Sequence, residues 1–266
     1  MLCTALLVGA TITPSLDSDV ARRPDGSWLR ERTHLEAVYA GLSDADPSAS
    51  KWMHYLEIYE KHLARFRGTD AVICEVGVNT GGSLAAYRKY FGEGVTLIGV
   101  DLFNASFMQG NPTYGRPRMF YGDQGSPAFW RWFKAQVPRL DVLIDDGGHT
   151  AHLQVTTLEE MLPHIAPGGV FLTEDIIDIQ KQNSIVRHVA AKYVTGTEEG
   201  LFPFHFHAKL TQTKLTPAQR SLFSVSFYAN VIAVEKLSVN RSVLRTFTHR
   251  SPIQRTGTRP RGTRMG

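Results

Sequence analysis

The residues best suited to chemistry are acids that follow short apolar segments, together with one histidine. The segment Ile144–His149 reads IDDGGH, and Thr173–Asp175 reads TED after the next apolar segment. Acid pairs at two neighbouring strand ends can surround one hard cation, and carboxylate oxygens without cysteine favour Mg²⁺. Such an ion would lower the pKa of a bound hydroxyl, and His149 would accept its proton. These segments therefore predict metal-assisted activation of a hydroxyl group.

A glycine-rich loop between a predicted strand and a predicted helix is the second candidate. It begins at Glu75, reads EVGVNTGGS, and is followed 24 residues after Gly77 by Asp101. An acid near that distance accepts hydrogen bonds from ribose hydroxyls in dinucleotide folds, but Asn79 replaces the middle glycine of their motif. The loop resembles more closely the glycine motif of class I S-adenosylmethionine-dependent methyltransferases. That resemblance implies S-adenosyl-L-methionine as the cofactor.

The expected cofactor contacts extend along the edge where the first four strands end. The resemblance places Asp123 and Gln124, at the third strand end, beside the adenine. Ligands of open α/β sheets bind outside the carboxyl ends of the strands, which is where these residues fall. The residues predicted to bind the cofactor are Glu75, Gly77, Asn79, Thr80, Gly81, Ser83, Asp101, Asp123, Gln124 and Asp145.

Alternating apolar and amphipathic segments predict the framework that positions these residues. Strands are expected at 71–77, 95–101, 118–121, 140–144 and 170–173, and helices at about 29–42, 51–66, 83–91, 127–136, 153–165 and 184–193. Uniformly apolar strands alternating with helices favour an α/β fold with a doubly wound, mostly parallel Rossmann-like sheet. Two further strands, 222–227 and 230–234, are expected to close the sheet as an antiparallel pair.

The acid segments resemble the metal-dependent sugar O-methyltransferases of actinobacterial natural-product and glycolipid pathways, which have cephalosporin-hydroxylase-like relatives. The similarity covers about residues 48–236, and its specific part is the pattern D-G-x-H followed by E-D. It implies the class I methyltransferase fold with a C-terminal antiparallel strand pair. It also implies that Asp146, Glu174 and Asp175 bind the metal and that His149 is the general base.

The same resemblance predicts the reaction and the acceptor. The chain is expected to transfer a methyl group from S-adenosylmethionine to a sugar hydroxyl, in a Mg²⁺-dependent reaction. The acceptor is expected to be a free oligosaccharide, a glycolipid or a glycosylated natural product. His54 and Tyr55, in the segment KWMHY before the first strand, are expected to contact it.

Composition narrows the class of protein. The chain has 266 residues, a formal charge of +4 and two cysteines. Residues 241–266 hold seven arginines and no acid, which leaves 22 basic and 25 acidic residues elsewhere. That acidic body argues against a nucleic-acid partner, and the few cysteines favour a reducing, cytoplasmic location. No apolar stretch is long enough to span a bilayer.

Three segments are expected along the chain. Residues 1–50 are interpreted as an N-terminal extension and cap, 51–240 as the methyltransferase domain, and 241–266 as an arginine-rich disordered tail. The apolar start, residues 1–14, is compatible with a buried strand, a dimer contact or a frayed end, so a homodimer is one expectation. Residues 196–220 are expected to fold over the acceptor, and Trp130, Trp132 and Phe133 to lie in the core.

Two other functions stay open on the sequence alone. A nicotinamide-linked oxidoreductase would use the same fold, although Asn79 and the lack of a Tyr-x-x-x-Lys pair near the site disfavour it. A non-catalytic binding protein could retain the same residues in a dead site. Thermal shifts with NAD and with S-adenosylhomocysteine would separate the oxidoreductase from the methyltransferase.

Overall fold

A computed structural model describes residues 32–177, 184–195, 212–214, 216–239 and 243–245. Within these residues, eight strands lie before residue 240, together with seven α-helices. The strands are β1 Val72–Val76, β2 Thr96–Asp101, β3 Arg118–Tyr121, β4 Leu140–Asp145, β5 Ile165–Thr173, β6 Gln212–Lys214, β7 Leu222–Tyr228 and β8 Val231–Lys236. The helices are α1 His34–Ala40, α2 Met53–Leu63, α3 Gly82–Phe91, α4 Pro127–Gln136, α5 Ala151–Met161, α6 Ile185–Val189 and α7 Pro217–Arg220. Short 3-10 turns at Ala64–Phe66, Ser106–Met108 and Pro112–Tyr114 and a π-helical segment at Ala190–Thr195 complete the helical elements.

One seven-stranded sheet has the order β3-β2-β1-β4-β5-β8-β7. Strands β1 to β5 run parallel, and β8 and β7 are antiparallel to their neighbours. The predicted α/β fold and its closing antiparallel pair are therefore confirmed. The strand order reverses between β1 and β4, and such a switch point opens a crevice at the carboxyl ends of the strands.

The register aligns the strand ends that carry the candidate residues. Val76 pairs with both Val100 and Asp145, and Asp145 pairs with Thr173. Backbone hydrogen bonds continue past the strands, because the amide of Asp146 donates to Val76 and the amide of Glu174 donates to Asp145. The glycine loop, the IDDGGH turn and the TED turn therefore leave the sheet side by side.

Helices cover the two faces of the sheet, as the uniformly apolar strands require. Helices α1, α2 and α3 contribute to one core cluster, which includes the fully buried Tyr59 and Phe91. Helices α4, α5 and α6 contribute to the other, which includes Trp130 and Phe133. The prediction for Trp132 is wrong: it lies on the outer side of α4 and is 49% exposed, because an amphipathic helix turns only one side to the sheet.

The structure shows where three of the predicted segments begin, end or pack. The turn expected around Gly168 is part of β5, which is extended by a register shift against β4. The predicted extension packs on the domain, since Leu35 of α1 is buried in the first core cluster. A ninth strand, β9 Val243–Arg245, pairs with β6 inside the segment expected to be a disordered tail.

Other expectations fall outside the described residues. These are the apolar start at 1–14, most of the expected lid (196–211), and the tail from 246 onward. Within the part of the chain that is described, none of the helices combines the length and apolar character that crossing a bilayer would require.

Candidate active site

A cavity of about 400 Å³ opens at the switch point between β1 and β4. Its volume lies within the range of small-molecule sites. Residues at and just after the ends of β1, β2, β3 and β4, with one residue of α5, form its wall: Val76, Gly77, Asn79, Val100, Asp101, Leu102, Phe103, Gly122, Asp123, Gln124, Asp146, Gly147, Gly148, His149 and, from α5, Leu153. Five residues of the predicted cofactor set, Gly77, Asn79, Asp101, Asp123 and Gln124, are among them.

The glycine loop follows β1 in a left-handed conformation that Asn79 can adopt. Its φ is 44°, and asparagine is enriched at positive φ, so it takes the place of the middle glycine without the cost that a branched residue would have. One carboxylate oxygen of Asp101 accepts hydrogen bonds from the amides of Val78 and Asn79, at 3.0 and 3.3 Å. Asp101 therefore braces the loop as well as lining the cavity.

Gly77 is the point where the glycine loop touches the IDDGGH turn. Its φ is +81°, and a Cβ there would lie 2.2 Å from the carbonyl oxygen of Asp146. We expect Gly77→Ala to push the two loops apart and to abolish the thermal stabilisation of the protein by S-adenosylhomocysteine. Gly68→Ala is the matched control, since Gly68 has φ +69° but open space around it. Equal losses of ligand stabilisation in both variants would contradict this assignment, because left-handed strain alone would then explain them.

Half of the predicted cofactor residues lie outside the cavity wall. Glu75 is buried below it, with one oxygen 3.2 Å from the Tyr87 hydroxyl. Thr80 donates a hydrogen bond to the carbonyl of Ser48, at 2.8 Å. Gly81, the N-cap of α3, and Ser83, in its first turn, are not part of the cavity wall. The fifth residue, Asp145, is buried.

Asp145 and Gln124 form a buried clamp behind the IDDGGH turn. The Gln124 amide nitrogen donates to Asp145 Oδ1 at 2.9 Å, and its oxygen accepts from the amide of Gly148 at 2.8 Å. A Cβ on Gly147 would lie 1.9 Å from that amide oxygen, so a side chain there would displace the Gln124 amide from the clamp. Burial raises the pKa of Asp145 to about 7, while the bond from Gln124 opposes that rise. Asp145 therefore holds Gln124 behind the IDDGGH turn and does not line the cavity.

Three side chains converge beside the cavity and could hold a metal ion. One ligand atom each from Asp146, His149 and Asp175 lies within 4.8 Å of the others, the one such group found among the described residues. His149 Nε2 is 4.0 Å from Asp146 Oδ1 and 3.8 Å from Asp175 Oδ2. His149 and Asp175 have φ of 51° and 48°, a left-handed conformation that is uncommon outside glycine although Asp and His adopt it more often than most residues, and such backbone conformations cluster at functional sites.

Glu174 is held apart from that group by Lys51. Both carboxylate oxygens of Glu174 lie 2.8 Å from the Lys51 ammonium, which also contacts Asp146 Oδ2. The structure therefore brings together two of the three predicted metal ligands with the predicted base. It adds a buried lysine to the predicted acid set.

We call Glu75, Asp146, Glu174 and Asp175 the acid cage. Burial and neighbouring charges shift pKa values in opposite directions within it. Burial alone would lower the pKa of Lys51, but the carboxylates of Glu174, Glu75 and Asp146 raise it above its ordinary value. Burial raises the pKa of Glu174, which Lys51 opposes, and it raises the pKa of Glu75 to about 7. Lys51 is therefore charged at neutral pH and stabilises the ionised acids.

A second cavity, of about 310 Å³, adjoins the acid cage. It is lined by Ser50, Lys51, Trp52, Tyr55, Asp146, Glu174 and Asp175. Tyr55 donates a hydrogen bond to Asp175 Oδ1 at 2.7 Å, and burial followed by this bond raises the pKa of Tyr55. The ring of His54 is hydrogen-bonded to the carbonyl of Ala229 and is not part of this wall. Of the two predicted acceptor contacts, only Tyr55 faces the cavity.

Sequence reasoning missed three features of the site. Lys51 was part of the KWMHY segment, but no spacing rule links it to acids 95 and 123 residues away. Leu102 and Phe103, more than 60% exposed at the mouth of the first cavity, directly follow Asp101 and look like ordinary loop residues. Trp52 is 64% exposed in the second cavity, and its place in the KWMHY segment, which also contains His54 and Tyr55, was the available signal.

Comparison with known proteins finds relatives among sugar O-methyltransferases. No family model matches the chain. It is 29% identical over 207 residues to 8-demethyl-8-alpha-L-rhamnosyl tetracenomycin-C 2'-O-methyltransferase of Streptomyces olivaceus, covering 71% of this chain and 52% of that protein. It is 27% identical over 190 residues to mycinamicin VI 2''-O-methyltransferase of Micromonospora griseorubida, covering 63% and 46%. The chain thus spans about half the length of these curated relatives.

Solved structures support the fold. The MycE methyltransferase of the mycinamycin biosynthetic pathway, solved in complex with Mg, S-adenosylhomocysteine (SAH) and mycinamycin VI, matches with a TM-score of 0.60 at 21% identity. The match covers 77% of this chain and 53% of MycE. The predicted similarity to sugar O-methyltransferases is therefore confirmed. The chain has the class I methyltransferase fold, and its curated relatives are sugar O-methyltransferases.

Proposed function

We propose that this protein transfers a methyl group from S-adenosylmethionine to a hydroxyl of a sugar, with help from a divalent ion, Mg²⁺ by preference. The observation that carries the proposal is the position of Asp146, which lines both cavities. The first cavity has the place and the volume for the donor, and the second brings acids and an exposed tryptophan together for the acceptor. A methyl group passing between them would cross beside Asp146 and His149.

The oxygen-rich cage fits a hard divalent ion. Asp146 and Asp175 would hold the ion, and Glu174 would face it from the buried side, next to Lys51. When bound, the ion would orient acceptor hydroxyls and lower their pKa. Tyr55 fixes Asp175 through its hydroxyl, and the buried clamp of Gln124 fixes the turn that carries Asp146 and His149.

His149 is proposed as the general base. Its side chain is 34% exposed and lines the first cavity, so its Nε2 can reach a hydroxyl brought to the cage. It would accept the hydroxyl proton while the oxygen forms its bond to the methyl carbon and the carbon–sulfur bond breaks. The proton ends on the imidazole, the methyl group on the sugar oxygen, and the electron pair on sulfur. Asp146 and Asp175 stabilise the imidazolium that results.

The acceptor is proposed from the side chains of the second cavity and from the names of the relatives. Trp52 offers an exposed aromatic face beside the acids, and such a face can pack against the apolar side of a sugar ring. The relatives act, by their names, on glycosylated natural products, so a glycoside of this kind is the proposed acceptor class. We further propose a cytoplasmic location, which the free, buried Cys74 is compatible with.

A transfer assay tests this function. We expect radiolabelled methyl groups to pass from S-adenosylmethionine to one of a panel of rhamnosides and macrolide glycosides when Mg²⁺ is present. EDTA should abolish the transfer, and added Mg²⁺ should restore it, because the hydroxyl would be a poor nucleophile without the ion. Transfer that persists in EDTA would refute the metal-assisted reaction. Binding of NAD in preference to S-adenosylhomocysteine would refute the choice of donor.

A further inference from the structure

The Lys51 ammonium occupies the centre of the acid cage. It lies 2.8 Å from both oxygens of Glu174, contacts Asp146 Oδ2, and lies 3.9 Å from Glu75 Oε1. Only 3% of its side chain is exposed, and the side chains of Glu174 and Glu75 are 2% and 1% exposed. An amino group this deeply buried is normally paired, and here it is paired with several acids at once.

The buried carboxylates need a nearby cation to stay ionised. Removing an ionised carboxylate from water costs several kcal/mol per ion unless a counter-charge and hydrogen bonds replace the lost hydration. Lys51 supplies three donors on one ammonium, and Glu174 and Asp146 accept from it. The lysine therefore keeps the two acids assembled without help from an external ion.

That same position is the one that a metal ion would need. A divalent ion that contacts Asp146 and Glu174 together must lie between them, where one ammonium already contacts both. Two cations cannot share that space, and they repel each other at short range. Binding of the ion to Glu174 would therefore require Lys51 to move off at least one of its partners.

We propose that the Lys51 ammonium is an internal cation that competes with the divalent ion for Glu174 and Asp146. This competition weakens the binding of the metal and makes that binding reversible. The inference rests on the metal site of the proposed function. It adds that the Lys51 ammonium occupies the place of the ion when no metal is bound. The metal-free site stays assembled, and the ion can exchange between turnovers.

Metal titration of charge variants tests the competition. Lys51→Met removes the ammonium and keeps a side chain of similar length. We expect this variant to bind Mn²⁺ about tenfold more tightly than the wild type does. Binding is measured as the loss of the electron-paramagnetic-resonance signal of free Mn²⁺. Lys51→Arg keeps the charge and is the matched control, with affinity near that of the wild type. In Lys51→Met/Glu174→Gln the gain should disappear, because the freed carboxylate is no longer there.

Protein stability provides a second measurement in the same variants. Metal-free Lys51→Met should melt at a lower temperature than the wild type, and saturating Mg²⁺ should raise its melting temperature by more than it raises that of the wild type. If the variant folds only when Mg²⁺ is present, the same conclusion holds. If it stays unfolded with saturating Mg²⁺, Lys51 is structural and the inference is overturned.

The titration also separates this inference from the proposed function, because it uses no methyl donor or acceptor. Unchanged or weaker Mn²⁺ binding by Lys51→Met, with normal binding by the wild type, overturns the competition alone. Full retention of the gain in the double variant overturns the role of Glu174. Absence of Mn²⁺ binding in every variant overturns the metal site itself, and with it both proposals.

Discussion

Replacing His149 by alanine is expected to lower the rate of methyl transfer by roughly 10²–10⁴-fold, the usual contribution of a general base. Affinity for S-adenosylhomocysteine and for Mn²⁺ should stay within about threefold of the wild type, because on this proposal the imidazole accepts a proton and does not bind the ion. Initial rates with radiolabelled donor, together with isothermal titration of each ligand, measure the three quantities in one protein preparation.

The controls for His149 address its backbone and its neighbourhood. Its φ of 51° is unfavourable for alanine, so His149→Asn is a second variant that tolerates this conformation and still lacks the base. His152, exposed in the first turn of α5, provides a matched histidine three residues away, and His152→Ala should retain the wild-type rate.

One result would reassign His149. Its Nε2 lies close enough to the oxygens of Asp146 and Asp175 to be a metal ligand instead of a base. In that role its loss would weaken Mn²⁺ binding by at least about tenfold, and the lost activity would return at high metal concentration. Intact metal affinity with lost turnover supports the base, and rescue by excess metal contradicts it.

The sheet was predictable because its signals are local. Each parallel strand is a short apolar run that ends at an acid or a glycine, and β3 and α4 begin and end at the predicted residues. Because parallel strands all end at one edge, the placement of Asp101, Asp146 and Asp175 at that edge followed from topology alone. The roles of individual side chains at that edge did not follow, since an acid at a strand end can brace a loop, cap a turn or face a ligand.

Features that depend on distant partners were not predictable. Lys51 is one of many lysines in the sequence, and only the folded chain places it against Asp146 and Glu174. Strand β9 has only three residues and pairs with another strand of three, β6, so neither has a periodic pattern long enough to recognise. The acids that contact Lys51 and the strand that pairs with β9 are both determined by the complete fold and not by the local sequence.

Replacing either Asp146 or Asp175 by asparagine is expected to weaken Mn²⁺ binding by at least about 100-fold and to abolish methyl transfer at millimolar Mg²⁺. Each change removes one negative charge and keeps the shape of the side chain, so the loss would arise from the missing carboxylate. Asp175→Asn keeps an oxygen that can accept the Tyr55 hydroxyl, which sits 2.7 Å from Oδ1, so its fold should be preserved. Asp146→Asn loses an ionic contact with Lys51 but keeps an acceptor for its ammonium.

An exposed acid, Asp70, provides the control for the Asp146 and Asp175 variants. Asp70 is 82% exposed and pairs with Arg139, and exposed pairs of this kind contribute at most about 1 kcal/mol, so Asp70→Asn should alter neither metal affinity nor turnover. Because the three variants carry the same change in net charge, a general electrostatic effect would appear in all of them. Wild-type Mn²⁺ affinity in both Asp146→Asn and Asp175→Asn would place the ion elsewhere, and the convergence of these two acids with His149 would then serve the sheet edge and not the reaction.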